Sequence, residues 1–201
     1  MQDDSNRRAG WSHSLSTGST ASPAGPCAAV AVDQRRVSFL NLSIQDQSER
    51  NAILAAIETV LRHGQLILGP EVRELERRIA ALCGRRHGIG VGSGTDALLL
   101  GLKAIGIGAG DEVITTPLSW LATASAILAN GATPVFADID ETLNIDPATL
   151  EALITPRTKA ILPVHFTGRL ARMAEIGEIA RKHRLLVVED GSQAFGATLD
   201  A

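Results

Sequence analysis

Three short stretches carry residue types that could do chemistry together. The first, Gly92-Ser93-Gly94-Thr95-Asp96, is a glycine-rich turn running straight into the apolar Ala97-Leu98-Leu99. Free main-chain N–H groups at a helix start, with the helix dipole behind them, make a seat for a phosphate. The same residues also read as a capping box, Ser93-x-x-Asp96, which needs no ligand. The second stretch, Thr116-Pro117-Leu118-Ser119-Trp120, sets one of only two tryptophans where a strand gives way to a helix. Its ring could stack on a planar ligand, although the residue alone favours a core tryptophan filling space between helix and sheet. The third, Glu189-Asp190-Gly191-Ser192-Gln193, puts acids directly after the aliphatic run Leu185-Leu186-Val187-Val188. A carboxylate at the mouth of a buried strand needs a cation or several donors beside it. A pyridine nitrogen held protonated by Asp190 would meet that need and make its ring a better electron sink; the alternative is a helix-capping aspartate.

These stretches can cooperate only if the fold brings them together. After Gly84 the sequence alternates strand and helix signals, with strands near His87–Val91, Glu112–Thr115, Pro134–Ala137, Ala160–Val164 and Leu185–Glu189. Helix-length segments lie at 96–105, 120–129, 147–153 and 170–183. Such alternation predicts an α/β domain, a mostly parallel sheet with right-handed crossovers and helices on both faces. The run Leu185–Val188 reads as a buried central strand. In open parallel sheets ligands gather beyond the carboxyl ends of the strands, where all three stretches lie.

Before the alternation, Ser48 can cap a helix that carries Ile53, Leu54, Ile57, Val60 and Leu61, and Gly64 ends it. A second helix starts near Pro70 and is expected to turn Val72, Leu75, Ile79 and Leu82 inward. Residues 1–36 are rich in Ser, Thr, Gly, Pro and Ala without apolar periodicity, which predicts a disordered extension ahead of one domain over 37–201.

Composition excludes several function classes. The 201 residues are 45% hydrophobic and 20% charged, enough for one ordinary core, with a formal charge of −3. That balance offers no attraction to nucleic acid or anionic lipid, and no apolar run is long enough to span a bilayer. Cys27 and Cys83 have neither metal-ligand spacing nor a plausible disulfide partner, which fits a reducing cytoplasm. No metal is expected. A dinucleotide site at Gly90-Val91-Gly92-Ser93-Gly94 fits poorly: the third glycine is missing, and Asp111 and Glu112 begin the next strand where an acid should end it.

From about Phe39 onward the chain resembles the DegT/DnrJ/StrS aminotransferases. The resemblance is carried by Gly69-Pro70-Glu71-Val72, Ser93-Gly94-Thr95-Asp96-Ala97-Leu98, Gly108-Ala109-Gly110-Asp111-Glu112-Val113-Ile114, Ala122-Thr123-Ala124-Ser125-Ala126-Ile127, Gly131-Ala132-Thr133-Pro134-Val135-Phe136 and Val188-Glu189-Asp190-Gly191-Ser192-Gln193-Ala194-Phe195-Gly196-Ala197. Several such segments in order are more specific than any one motif. The resemblance implies the large domain of a fold-type I transferase with pyridoxal 5′-phosphate as cofactor. It implies a phosphate turn at Gly94, Thr95 and Asp96, Trp120 stacked on the pyridine, Asp190 on its nitrogen and Gln193 on the ring or its 3-hydroxyl. It further implies a homodimer that moves an amino group from glutamate to a nucleotide-linked keto sugar.

Such enzymes hold the cofactor as a Schiff base on a lysine that also moves the protons. The resemblance sets that lysine beyond Ala201, and Lys103, Lys159 and Lys182 stand in other contexts. The expectation for this chain alone is therefore a truncated domain that lacks its catalytic residue and turns over negligibly. Two further readings are a non-catalytic remnant or regulatory binding module, and a nicotinamide-dependent Rossmann oxidoreductase. His165, at a strand end, could contact substrate, but a lone histidine is more often structural or on the surface.

Overall fold

A computed structural model of the chain describes residues 40–199. The expected disordered extension, and Cys27 within it, lie outside the described residues. The chain divides into two compact units between Ala52 and Ile53. In the first, residues 40–46 lead into helix α1 (Gln47–His63). Its cap is Asp46 and not Ser48: the Asp46 carboxylate accepts the N–H of Glu49 at 2.6 Å, since an N-cap side chain reaches the N–H three residues on.

The second unit holds the rest of α1, α2 (Pro70–Leu82), α3 (Gly94–Ala104), α4 (Leu121–Ala129), α5 (Pro147–Leu150) and α6 (Met173–His183). It also holds strands β1 (Glu112–Thr115), β2 (Thr133–Phe136), β3 (Thr158–Leu162) and β4 (Leu186–Val187). The four strands form one parallel sheet in the order β2-β1-β3-β4. Alternation along the two central strands decides what each face packs against. Val113, Ala160 and Leu162 face Leu98 and Leu102 of α3 and Ile127 of α4. Ile114 and Ile161 face Leu150 of α5 and Ile176 of α6. Helices therefore cover both faces, as the alternation predicts.

Two strand expectations change. Residues 87–91 form no ladder among the described residues; they lie beside α2, where Gly90 donates its N–H to the Glu76 carboxylate at 2.7 Å. Both flanks of β1 and both of β3 are already paired, so no site in this sheet's interior is open to them. The run Leu185–Val188 gives a two-residue strand that, among the described residues, lies at the sheet edge and not in its centre: β3 is its one neighbour there, and Leu186 is half exposed. Helix α2 turns only Val72 and Ile79 partly inward and buries Ala80, while Leu75 and Leu82 remain exposed. No helix among the described residues is long and apolar enough to cross a membrane.

The chain leaves β1 for β2 on one side and returns through α5 to β3 on the other. The order reverses at β1, which opens a crevice beyond the carboxyl ends of β1 and β3.

Candidate functional site

That crevice holds a cavity of about 290 Å³, whose lining includes Gly94, Thr95, Trp120, Val164, Asp190 and Gln193. Its size is at the lower end of small-molecule pockets, roughly 300–1,000 Å³. Five of the six residues singled out in sequence thus meet in one place. The sixth, Asp96, does not line it. A wider depression of about 390 Å³ between α5 and α6 is lined by Glu151, Glu178 and Lys182, away from any strand end.

At the start of α3, capping and anion seating coexist. Ser93 is extended (φ −162°, ψ 167°), and its Oγ accepts the N–H of Asp96 at 3.1 Å. The N–H groups of Gly94 and Thr95 find no acceptor among the described residues. The Ser93 N–H likewise has none, so these are free donors of the helix terminus. The Asp96 carboxylate lies back against Gly92, where an added Cβ would sit 2.9 Å from Oδ2. A Cβ on Gly94 would meet nothing nearer than the Ser192 hydroxyl at 3.8 Å, so the seat is open.

Trp120 does not take the core role that its type alone suggests. It is the N-cap of α4 (φ −67°, ψ 147°), one residue ahead of the helix, and is 79% exposed. The space between α4 and the sheet belongs to Thr123, Ala126 and Ile127. The indole is left on the wall of the cavity, a flat apolar face available to a planar ring.

Asp190 extends the β3–β4 pairing beyond the regular strands, bridged in parallel to Val164. Its N–H donates to the Pro163 carbonyl at 2.9 Å, and its own carbonyl accepts from the His165 N–H at 3.0 Å. The residue is buried to 8% exposure. Oδ1 accepts both the N–H of Ser192 at 3.1 Å and its hydroxyl at 2.6 Å. Oδ2 has no protein partner, and no Arg, Lys or His among the described residues makes an ion pair with the carboxylate. A nearly buried acid with one oxygen spare and no protein cation fits a cationic group on a ligand.

Gln193 accepts the N–H of Thr167 on Oε1 at 2.7 Å. His165 is buried and supports the loop rather than lining the cavity. Its Nδ1 accepts the Ala171 N–H at 3.2 Å, and since a main-chain N–H can only donate, Nε2 carries the proton toward Glu189 at 3.2 Å. This hydrogen bond holds the Glu189 carboxyl below its ordinary value against the opposing effect of burial. Sequence reading assigned no role to Ser192, although an Asp-x-Ser spacing invites such a local bond. It missed Thr167 entirely, because nothing in the sequence marks its main-chain conformation.

The residues fit pyridoxal phosphate on the chemistry of the donor set: two free N–H groups for phosphate, an exposed indole for the ring and a spare carboxylate oxygen, accessible on a largely buried residue, for the nitrogen. They fit a dinucleotide less well. The only acid in β1, Glu112, sits at the strand's start, bound to Arg157 and Thr155 at the end of the sheet opposite the cavity.

A parallel sheet covered on both faces, with a cavity at its switch point, defines an α/β domain of the doubly wound class. The chain belongs to the DegT/DnrJ/EryC1/StrS aminotransferase family, whose model matches residues 47–201; its members are pyridoxal-phosphate-dependent aminotransferases. It is 48% identical over 163 residues to the UDP-2-acetamido-2-deoxy-3-oxo-D-glucuronate aminotransferase of Pseudomonas aeruginosa, covering 81% of this chain and 45% of that protein. It is 49% identical over 162 residues to the pleiotropic regulatory protein of Geobacillus stearothermophilus, covering 80% and 44%. Among solved structures it is similar to S. venezuelae DesV in complex with a ketimine intermediate, with 45% identity and a TM-score of 0.72 over 74% of this chain and 40% of that one. It is also similar to NtdA from Bacillus subtilis with bound cofactor PMP, with 40% identity and a TM-score of 0.73 over 76% and 35%. The chain thus spans less than half the length of these relatives.

Proposed function

We propose that this chain is the cofactor-cradling part of an aminotransferase that uses pyridoxal 5′-phosphate to move an amino group from glutamate to a nucleotide-linked keto sugar. The reading is supported by Asp190, a carboxylate at 8% exposure whose only side-chain partner is Ser192. When bound, the cofactor supplies an electron sink for the carbon that gives up or receives the amino group. The chain's own residues bind and orient. The N–H groups of Gly94 and Thr95 take the phosphate, with the dipole of α3 behind them. Trp120 covers one face of the ring and keeps water from it. Asp190 holds the proton on the ring nitrogen through Oδ2, while Ser192 fixes the carboxylate through Oδ1. Asp96 contributes to the turn through its N–H and not through its carboxylate, which would repel a phosphate.

None of Lys103, Lys159 or Lys182 lines the cavity. On this chain we therefore expect the cofactor to bind reversibly and the transfer itself to be negligible. A cytoplasmic homodimer is the assembly we propose for the whole enzyme. Equilibrium dialysis against pyridoxal 5′-phosphate tests the assignment: Asp190→Ala is expected to weaken binding by about tenfold or more, the range of a charge-assisted hydrogen bond. Equal binding by wild type and variant would remove Asp190 from the site.

A further inference from the structure

The loop from β3 to α6 carries a feature that the cofactor contacts alone do not explain. Thr167 is in the left-handed region (φ 56°, ψ 19°), and Gly168 follows at φ 87°. A β-branched residue rarely adopts that conformation and persists in it only where its surroundings over-determine it. Here they do. Asn144, fully buried, accepts the N–H of Phe166 at 2.9 Å and donates to the carbonyl of Arg169 at 3.1 Å, clamping both sides of the turn. His165, also buried, takes the N–H of Ala171. The turn so held spends the Thr167 N–H on Gln193 Oε1 at 2.7 Å. Gly168 permits the approach: an added Cβ would stand 3.1 Å from the Gln193 carbonyl oxygen.

The consequence is chemical. A side-chain amide offers a donor end and an acceptor end, and a main-chain N–H can bond only the acceptor. With Oε1 turned to and held by the Thr167 N–H, the Nε2 donors are the end of the Gln193 amide left for the cavity it lines. An anionic oxygen on the ligand would be attracted to that end and repelled by the other. We propose that Thr167 and Gly168 are positioning residues, whose left-handed turn fixes the Gln193 amide with its donor end toward the 3-oxygen of pyridoxal phosphate. This rests on the cofactor reading above.

The test compares dissociation constants for pyridoxal 5′-phosphate and 3-deoxypyridoxal 5′-phosphate on the full chain. Wild type is expected to prefer the 3-oxygenated ligand by about tenfold, one charge-assisted hydrogen bond. Gln193→Leu and Gly168→Ala are each expected to bring that ratio close to one, a change that general loosening of the fold would not produce. A full preference retained in Gly168→Ala but lost in Gln193→Leu overturns the role of the turn. Equal binding of both ligands by wild type overturns the 3-oxygen contact while leaving the cofactor reading intact. Binding of neither overturns the cofactor reading and this inference with it. Should Gly168→Ala fail to fold, amide hydrogen exchange at Thr167 decides: it is expected to accelerate in Gln193→Leu, and an unchanged rate overturns the proposal.

Discussion

The two oxygens of the Asp190 carboxylate differ: Oδ1 is held by both donors of Ser192, and Oδ2, the oxygen we propose for the ligand, has no partner among the described residues. Ser192→Ala removes the hydroxyl but keeps the main-chain N–H, so affinity for pyridoxal 5′-phosphate should fall by about three- to tenfold, the worth of one hydrogen bond. Titration calorimetry on the two proteins measures it. At the other end of the sheet Glu112 is buried and bonded to Thr155 and Arg157. The hydrogen bond from Thr155, then that from Arg157, holds its carboxyl below the ordinary 4.5, against the cost of burial. A depressed folded pKa stabilises fully above the unfolded value and ceases to do so as pH falls through the folded one. Glu112→Gln should therefore lower stability at neutral pH and flatten the loss of stability below pH 4.5, as urea titrations across pH would show. Residue types drew attention to Asp190, an acid after an aliphatic run, and the family resemblance to Gln193; the fold sets both on the lining of one cavity. They misled at Trp120, whose exposure depends on the one-residue offset that makes it an N-cap rather than a member of α4.

At the scale of elements, α3 is the piece that serves both fold and site. Its cap satisfies the third N–H through Ser93 and leaves the first two free, at Gly94 and Thr95. Ser93→Ala should cost about 1 kcal/mol of stability, in the usual range for a lost N-cap, measured by denaturant unfolding. Helices were legible to within a few residues because apolar periodicity and the Gly and Pro signals agreed, as at Gly69-Pro70 before α2. Strands were less so. His87–Val91 has strand-like residues, but pairing is a non-local property, and no ladder takes it among the described residues. Likewise, four consecutive aliphatics at Leu185–Val188 signalled a central strand, whereas neighbours decide centrality and among the described residues β4 pairs with β3 alone. The left-handed turn at Thr167 left no mark in the sequence, since threonine is an unusual choice for it.

The molecule as a whole is organised around β1 and β3, whose alternating residues join two separate cores. Leu102 of α3, fully buried in the core, should cost about 2–5 kcal/mol on change to Ala. The rim of the cavity is apolar on its other side, where Trp120, Leu121 and Phe136 are exposed together around Pro117. We propose this patch as an association surface, since contiguous exposed apolar area is favoured in such surfaces. Leu121→Ser with Phe136→Ser should therefore reduce self-association in sedimentation experiments, whereas unchanged association would point to another surface. The central claim is that one cavity receives phosphate, ring and ring nitrogen at once. The most direct test is a crystal structure of the chain soaked with pyridoxal 5′-phosphate. Phosphate on the Gly94 and Thr95 N–H groups, the ring against Trp120 and the pyridine nitrogen hydrogen-bonded to Asp190 Oδ2 is the predicted result; cofactor bound elsewhere, or with its nitrogen away from Asp190, would contradict it.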